Sequence, residues 1–317
     1  MEKRTLIAVI LTAALWIIYF NITPKHTVAP KNNQKNVTNN QKSGKKTDTI
    51  KTTNTTNTTN TKTTSVVRTL KSNLKEQNFT FETDTYKMVL TNKAAALKSV
   101  IYKKNNVELT VSKNKIFKTK SVIDFAIHFG LQEFLNGNTL DTVNWNAQKN
   151  NKGVVFYTRL IYQNTPVLIE KSYTLDTKGN QFVVSYRIKN LGRNEISFNN
   201  VIISPSDIIG PKLDFDNSYN KPKGSIYSLN GDYTNETKGG FFEKGGIVKE
   251  KAGSVNWHGI SGRYFTVIMI PQGFSGTKVI CDNRQGTYGF RTGMQMPTMK
   301  LSGGSESTKL FKIYLGD

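Results

Sequence analysis

The chain has 317 residues, of which 37% are hydrophobic and 21% charged, with 17 Phe, 13 Tyr and 3 Trp, too apolar and aromatic for a wholly disordered protein. A single cysteine, Cys281, excludes an internal disulfide, a four-cysteine zinc site and an iron–sulfur cluster. The net charge is +22, and residues 1–78 hold 13 Lys/Arg against 3 Asp/Glu, which fits a lysine-rich solvated surface, with nucleic acid or anionic lipid as the functional alternative.

Residues 6–22, LIAVILTAALWIIYFNI, form an uncharged apolar run preceded by Lys3 and Arg4 and followed by Pro24 and Lys25. The run from Leu6 to Ile22 is just long enough to cross a bilayer as a helix, and Trp16, Tyr19 and Phe20 sit where aromatic rings favour the headgroup level. A cleaved signal peptide is the competing reading, but no small-residue cleavage pattern follows, so an uncleaved anchor is expected. Lysines flank both ends, so charge alone does not orient it. Residues 23–78 are rich in Asn, Thr and Lys, with the near-repeat TTNTTNTTNTKTT over 52–64, and are expected to form a disordered tether, with a short helix possible over 68–77. No aromatic residues interleave with these lysines, so nucleic acid is not expected as a partner.

From Phe79 onward the pattern has period two. Phe182, Val184, Tyr186 and Ile188 alternate with Val183, Ser185, Arg187 and Lys189. Phe125, Ile127 and Phe129 alternate likewise, placing His128 on the polar side, and so do Phe311, Ile313 and Leu315. Further strands are expected over 86–90, 98–102, 107–111, 154–157, 167–173, 196–203, 264–270, 278–281 and 288–291, separated by turn signals such as Asn190-Leu191-Gly192 and Ser302-Gly303-Gly304. The expected class is all-β, a large antiparallel sandwich over residues 79–317, with long loops and short edge strands over 205–256.

Chemistry-bearing motifs are scarce. His26, His128 and His258 are isolated in sequence, and no H-E-x-x-H, P-loop, G-x-G-x-x-G or G-x-S-x-G occurs. Asp214-Phe215-Asp216-Asn217-Ser218 opens like a calcium loop but lacks its glycine and its terminal glutamate, and Ser112-Lys113-Asn114-Lys115 is an S-x-x-K without companion motifs. No catalytic, cofactor-binding or metal-binding residue is therefore expected, and the chain reads as a binding or scaffolding protein, not an enzyme.

Three segments nevertheless form a pattern. The N-terminus Met1-Glu2-Lys3-Arg4-Thr5-Leu6 resembles the start of bacterial YidC membrane protein insertases. Asp84 and Tyr86, followed by Thr91-Asn92-Lys93-Ala94-Ala95-Ala96-Leu97-Lys98-Ser99, resemble that family's "T-D-x-Y … T-N-x-G-A-x-L-x-S", with Ala94 or Ala95 where glycine is common. Trp257-His258-Gly259-Ile260, then Arg263-Tyr264-Phe265 and Pro271, resemble its "W-x-G-I-x-x-K/R-Y-F … I-P". The resemblance implies a supersandwich of the galactose-mutarotase type. It implies a non-catalytic periplasmic module that supports insertion and folding of inner-membrane proteins as a chaperone in protein transport. The localisation it implies is the inner membrane, single-pass, with the domain in the periplasm. The partners it implies are membrane lipid, the Sec translocon, nascent membrane proteins and a separate five-helix insertase bundle, since the chain stops at Asp317 where family members continue. The alternative is a carbohydrate-binding or mutarotase-like enzyme on the same fold. Within this pattern Trp257, Tyr264 and Phe265 are expected to be core packing.

Overall fold

Apolar residues at every second position, punctuated by turns, give twenty strands and little helix among the described residues. The computed structural model describes residues 67–69, 73–110, 123–137, 139–175, 181–206, 209–210, 224–237, 247–284 and 290–317. In chain order the strands are β1 (Val67–Thr69), β2 (Asn78–Glu82), β3 (Tyr86–Thr91), β4 (Ala96–Tyr102), β5 (Val107–Glu108), β6 (Ala126–Phe129), β7 (Asn146–Asn150), β8 (Gly153–Tyr162), β9 (Thr165–Leu175) and β10 (Gln181–Asn190). They continue as β11 (Ile196–Phe198), β12 (Val201–Ser204), β13 (Gly224–Leu229), β14 (Asp232–Glu236), β15 (Val248–Ser261), β16 (Thr266–Gln272), β17 (Gly276–Asp282), β18 (Arg291–Gln295), β19 (Met299–Leu301) and β20 (Glu306–Gly316). One short helix, α1 (Leu131–Asn136), and one 3-10 turn follow β6.

A large antiparallel sheet runs in the order β1-β8-β9-β10-β20-β16-β15-β17-β18-β12-β6, with β7 on β8 and the β13–β14 hairpin on β15. A four-stranded sheet, β2 to β5, lies apart from this path, and its side chains join the same core. Two-residue hairpin turns set the register: Gln163 and Asn164, and Asn230 with Gly231, all take positive φ, the geometry that matches strand twist. Three buried tyrosines tie the layers together. Tyr86 donates its hydroxyl to the Leu315 carbonyl, Tyr186 to that of Phe125, and Tyr173 to that of Ala95 at 2.7 Å. Each hydroxyl thus satisfies a backbone acceptor that burial would otherwise leave costly.

The structure adjusts the sequence reading at several points. Val67–Thr69 pairs with β8, with Val67 in the core, so strand begins inside the segment read as tether, and no helix forms over the described part of 68–77. Within 205–256, read as loops and edge strands, β15 is the longest strand at 14 residues and pairs with β13, β16 and β17. A bulge between Ala252 and Val255, together with an exposed outer face, hides its alternation. Residues 6–22, with Leu6, Trp16, Tyr19, Phe20 and Ile22, lie outside the described residues, as do His26 and the segments 112–115 and 214–218.

The turn after β3 rests on one buried amide. Asn92 donates Nδ2 to the carbonyls of Trp145 (3.0 Å) and Lys75 (3.1 Å), and its Oδ1 accepts the Gln77 N–H at 2.7 Å. Beyond it, Ala94 and Ala95 both hold left-handed backbone, φ 57° and 49°. Side chains rarely adopt that region, which costs a non-glycine residue about 1–2 kcal/mol. Ala95 is fully buried, but Ala94 is only partly so. Ala94→Gly is therefore expected to stabilise the protein by about 1 kcal/mol. Urea unfolding of the two proteins checks this, and a loss of stability would show that the Ala94 methyl packs better than its backbone suits it.

Candidate functional site

On β9, β10, β20 and β16 the residues that alternate with core side chains make an outer face. Pairing aligns them in rows. Asn150, Gly153, Thr174, Val183, Lys312 and Ile270 follow one another across six strands. The next row holds Gln148, Val155, Ser172, Ser185, Leu310 and Gln272, with the Ser172 and Ser185 hydroxyls 2.6 Å apart. A groove of 710 Å³ opens on this face, bordered by Thr174, Gln181, Val183, Gln272, Leu310 and Lys312, with Lys152 at its rim. A second recess of 480 Å³ shares Lys152 and Thr174 and adds Asn150 and Asn151. The lining offers amides, a hydroxyl and two ammonium groups beside the apolar Val183 and Leu310, with no carboxylate among the described lining residues. Leu310 is 44% exposed, an apolar floor open to solvent.

A second chemical cluster lies on the other side of the same strands, inside the core. Val167, Ile169 and Tyr173 of β9 point inward, and Lys171 stands among them, only 1% exposed. Its Nζ donates to the Asp124 carbonyl and lies 5.5 Å from the centre of the Tyr173 ring. Burial pulls the ammonium down to about 7, against the opposing pull of Asp124 and Asp141. The same burial raises the Tyr173 and Tyr186 phenols well above their ordinary value. Phe125, which follows Asp124, holds φ 42°, a strained conformation for a bulky residue, and donates its N–H to Pro205. These groups are enclosed, so a substrate in the groove does not reach them.

The histidines are also enclosed. His128 lies on β6, where all four residues are buried, so its expected place on a polar face is corrected: both faces of β6 are covered. Its Nε2 shares a hydrogen bond with Ser204 Oγ at 2.8 Å, and burial, then Arg291 and Lys171, push its pKa well below the ordinary value. His258 is 0% exposed, and burial lowers it to about 3. No cluster of His, Cys, Asp and Glu suited to a metal occurs among the described residues.

The pattern residues serve mainly the fold. Thr83 caps the bend with Oγ1 accepting the Tyr86 N–H at 2.9 Å, which leaves Asp84 exposed and Tyr86 fully buried. Leu97 is buried and donates its N–H to Ile123. A Cβ on Gly259 would stand 2.2 Å from the Val267 carbonyl oxygen, so only glycine lets β15 and β16 approach there. Phe265 is buried against Tyr102, and Pro271 is buried opposite Phe311, past the end of the β15–β16 ladder. The core-packing expectation fails for two aromatics. Trp257 is half-buried beside Tyr233, and Tyr264 is 49% exposed under the Arg263 guanidinium, 5.2 Å from its ring centre. Sequence reasoning missed the groove because its residues are ordinary outer-face positions. Lys171 carried a readable signal, a charge inside an apolar alternation.

This architecture is the galactose-mutarotase-like supersandwich. A galactose mutarotase-like protein from Lactobacillus casei ATCC 334 is similar with a TM-score of 0.52 and 13% identity, over 75% of this chain and 100% of that one. A galactose mutarotase related enzyme from Lactobacillus acidophilus gives a TM-score of 0.55 and 10% identity, over 76% and 98%. A protein from Synechocystis sp. PCC 6803 gives 0.50 and 12%, over 77% and 96%. At such identities the likeness establishes the fold alone. Within that class, residues 78–317 match the YidC periplasmic domain, and the chain belongs to that family. No curated protein matches the sequence.

These findings correct the functional expectations. The sandwich is one on which proteins bearing mutarotase names are built, so the exclusion of enzymatic activity is withdrawn. The reading as a non-catalytic insertase module, with its transport and chaperone vocabulary, falls with it. The partner set of membrane lipid, Sec translocon, nascent membrane proteins and separate bundle has no support in the fold. Single-pass placement in the inner membrane with a periplasmic domain is likewise withdrawn, the fold being one shared with mutarotase-like proteins; among the described residues, which do not include 6–22, no helix is long and apolar enough to cross a membrane.

Proposed function

We propose that the sandwich recognises a saccharide in the outer-face groove. The observation that carries this reading is the lining: Gln181 and Gln272, with Asn150 and Asn151 of the adjoining recess, offer paired donors and acceptors, Thr174 a hydroxyl, and Val183 with Leu310 an apolar floor. A sugar ring presents the same mixture, hydroxyls around its rim and C–H groups on its faces, and small-molecule sites combine apolar walls with a few placed polar groups. The groove's 710 Å³ accommodates more than one ring. Similarity of the fold to proteins named galactose mutarotase-like supports the ligand class.

Titration of the full chain with galactose, glucose and galacturonic acid, read by amide shifts in NMR, tests the proposal. Shifts are expected at Thr174, Val183 and Lys312, and Lys312→Ala should weaken binding about tenfold, the loss of one charge-assisted hydrogen bond. Absence of binding, or shifts confined to another face, would overturn it. The same spectra follow the exchange of anomers, so a faster exchange with protein present would reveal mutarotation directly.

A further inference from the structure

The outer-face row does not end at the groove. The β15–β16 ladder ends with His258 opposite Met269, and Trp257 and Ile270 are the next residues beyond it on the two strands, Ile270 being paired with Lys312. Trp257 pairs on its far side with Ser228 of β13, and Ser228 with Tyr233 of β14. Ser228 is small and buried, so the two rings meet over it, their centres 6.0 Å apart and their planes tilted by 32°. Tyr233 is 63% exposed, the most open of the large hydrophobic residues among the described positions. An aromatic pair thus stands on the same face as the groove. Its distance from Val183 is three strand spacings to Trp257, about 14 Å, and two more to Tyr233.

Building on the saccharide reading of the groove, we infer that the site takes an acidic oligosaccharide of about four residues, with Trp257 and Tyr233 as its far subsite. Length, surface and charge each argue for this occupant. A linear oligosaccharide advances by about one strand spacing per pyranose, so four residues reach from Val183 to Trp257. Tyrosine and tryptophan are flat, rigid and amphipathic, presenting a face to the C–H side of a sugar ring at low entropic cost. On this path the groove supplies Lys312, and beyond Val183, at the β7–β8 end, it supplies Lys152; both are exposed and in no ion pair among the described residues, and the described lining residues include no carboxylate. That charge balance favours uronic acid units over neutral sugars.

Calorimetric titration of the full chain with galacturonic acid and its di-, tri- and tetramer tests the inference, with maltotetraose as the neutral control. Affinity is expected to rise at least tenfold from monomer to tetramer and to exceed that for maltotetraose at least fivefold. Tyr233→Ala, at a position too exposed to disturb folding, should abolish the gain with length and leave the monomer affinity unchanged. Equal affinities for monomer and tetramer, or an undiminished gain in Tyr233→Ala, overturn the far subsite while the groove stands. Equal binding of maltotetraose and tetragalacturonate overturns the acidic class. No binding of any sugar overturns the inference together with the groove reading.

Discussion

Between pH 7 and about pH 8.5 the protein is expected to gain stability, and Lys171→Met is expected to remove that gain. In the unfolded chain this lysine holds its proton up to about 10.4. In the folded protein burial brings its pKa to about 7. Across the interval the unfolded state therefore binds more protons than the folded one, and stability rises with pH by at most about 1.4 kcal/mol per unit. Below pH 7 both states are protonated, and the folded one carries the whole cost of a buried ammonium. Methionine keeps the length and apolar stem of the side chain but has nothing to titrate. It also leaves the Asp124 carbonyl without its donor, which offsets part of the benefit in absolute stability. The slope is thus the cleaner readout. Urea unfolding of both proteins at half-unit steps from pH 6 to 9.5 measures it. Parallel curves would mean that Asp124 and Asp141 hold Lys171 charged throughout. The gain levels off above about pH 8.5, where the Cys281 thiol, raised by burial to about 12, keeps a proton that unfolded cysteine loses, and the Tyr86, Tyr173 and Tyr186 phenols, raised by burial, oppose it further once unfolded tyrosine ionises near pH 10.

The sandwich was legible wherever one face of a strand is buried and the other wet. Phe182, Val184, Tyr186 and Ile188 on β10, and Phe311, Ile313 and Leu315 on β20, announce their strands by simple alternation, and the structure buries all seven. Where both faces are covered the alternation vanishes: β6 reads AIHF with every residue buried, and His128 was accordingly placed on the wrong side. Where a strand changes partners it blurs, as on β15, which passes from β17 to β16 across a bulge. The Asn230-Gly231 turn was a readable hairpin signal, but the exposed residues after it looked like loop. The groove was not legible at all. Thr174, Val183, Gln272 and Lys312 come from four strands spread over the chain, and only register brings them into one place. The motif residues were legible as a family mark, and Asn92 and Gly259 show why: one amide organises a turn, and one missing Cβ lets two strands close.

Acid is expected to begin destabilising the protein below pH 6.5, above the carboxylate range, and His258 should account for much of the effect. The ring sits between Tyr227 and Met269 in register, both fully buried, and neither nitrogen has a hydrogen-bond partner among the described residues. Nothing there stabilises an imidazolium, and burial lowers the pKa to about 3. The unfolded chain takes up a proton near pH 6.5, while the folded one does not until about pH 3. Stability contributed by keeping this ring neutral is present above pH 6.5 and is lost as pH falls through the interval. By pH 3.5 the loss from His258 alone is about 4 kcal/mol, a large part of the roughly 5–15 kcal/mol that holds a domain folded. His128, lowered first by burial and then by Arg291 and Lys171, adds a loss of the same sign. His258→Leu removes one of the two. The variant should match the parent near pH 8, where both rings are neutral, apart from a small packing change. Below pH 6 the curves should separate by up to about 1.4 kcal/mol per pH unit. Chemical unfolding monitored by tryptophan fluorescence from pH 8 to 4 gives both curves. If they stay parallel, the His258 ring is being protonated in the folded state, and the strands around it open more readily than their burial implies.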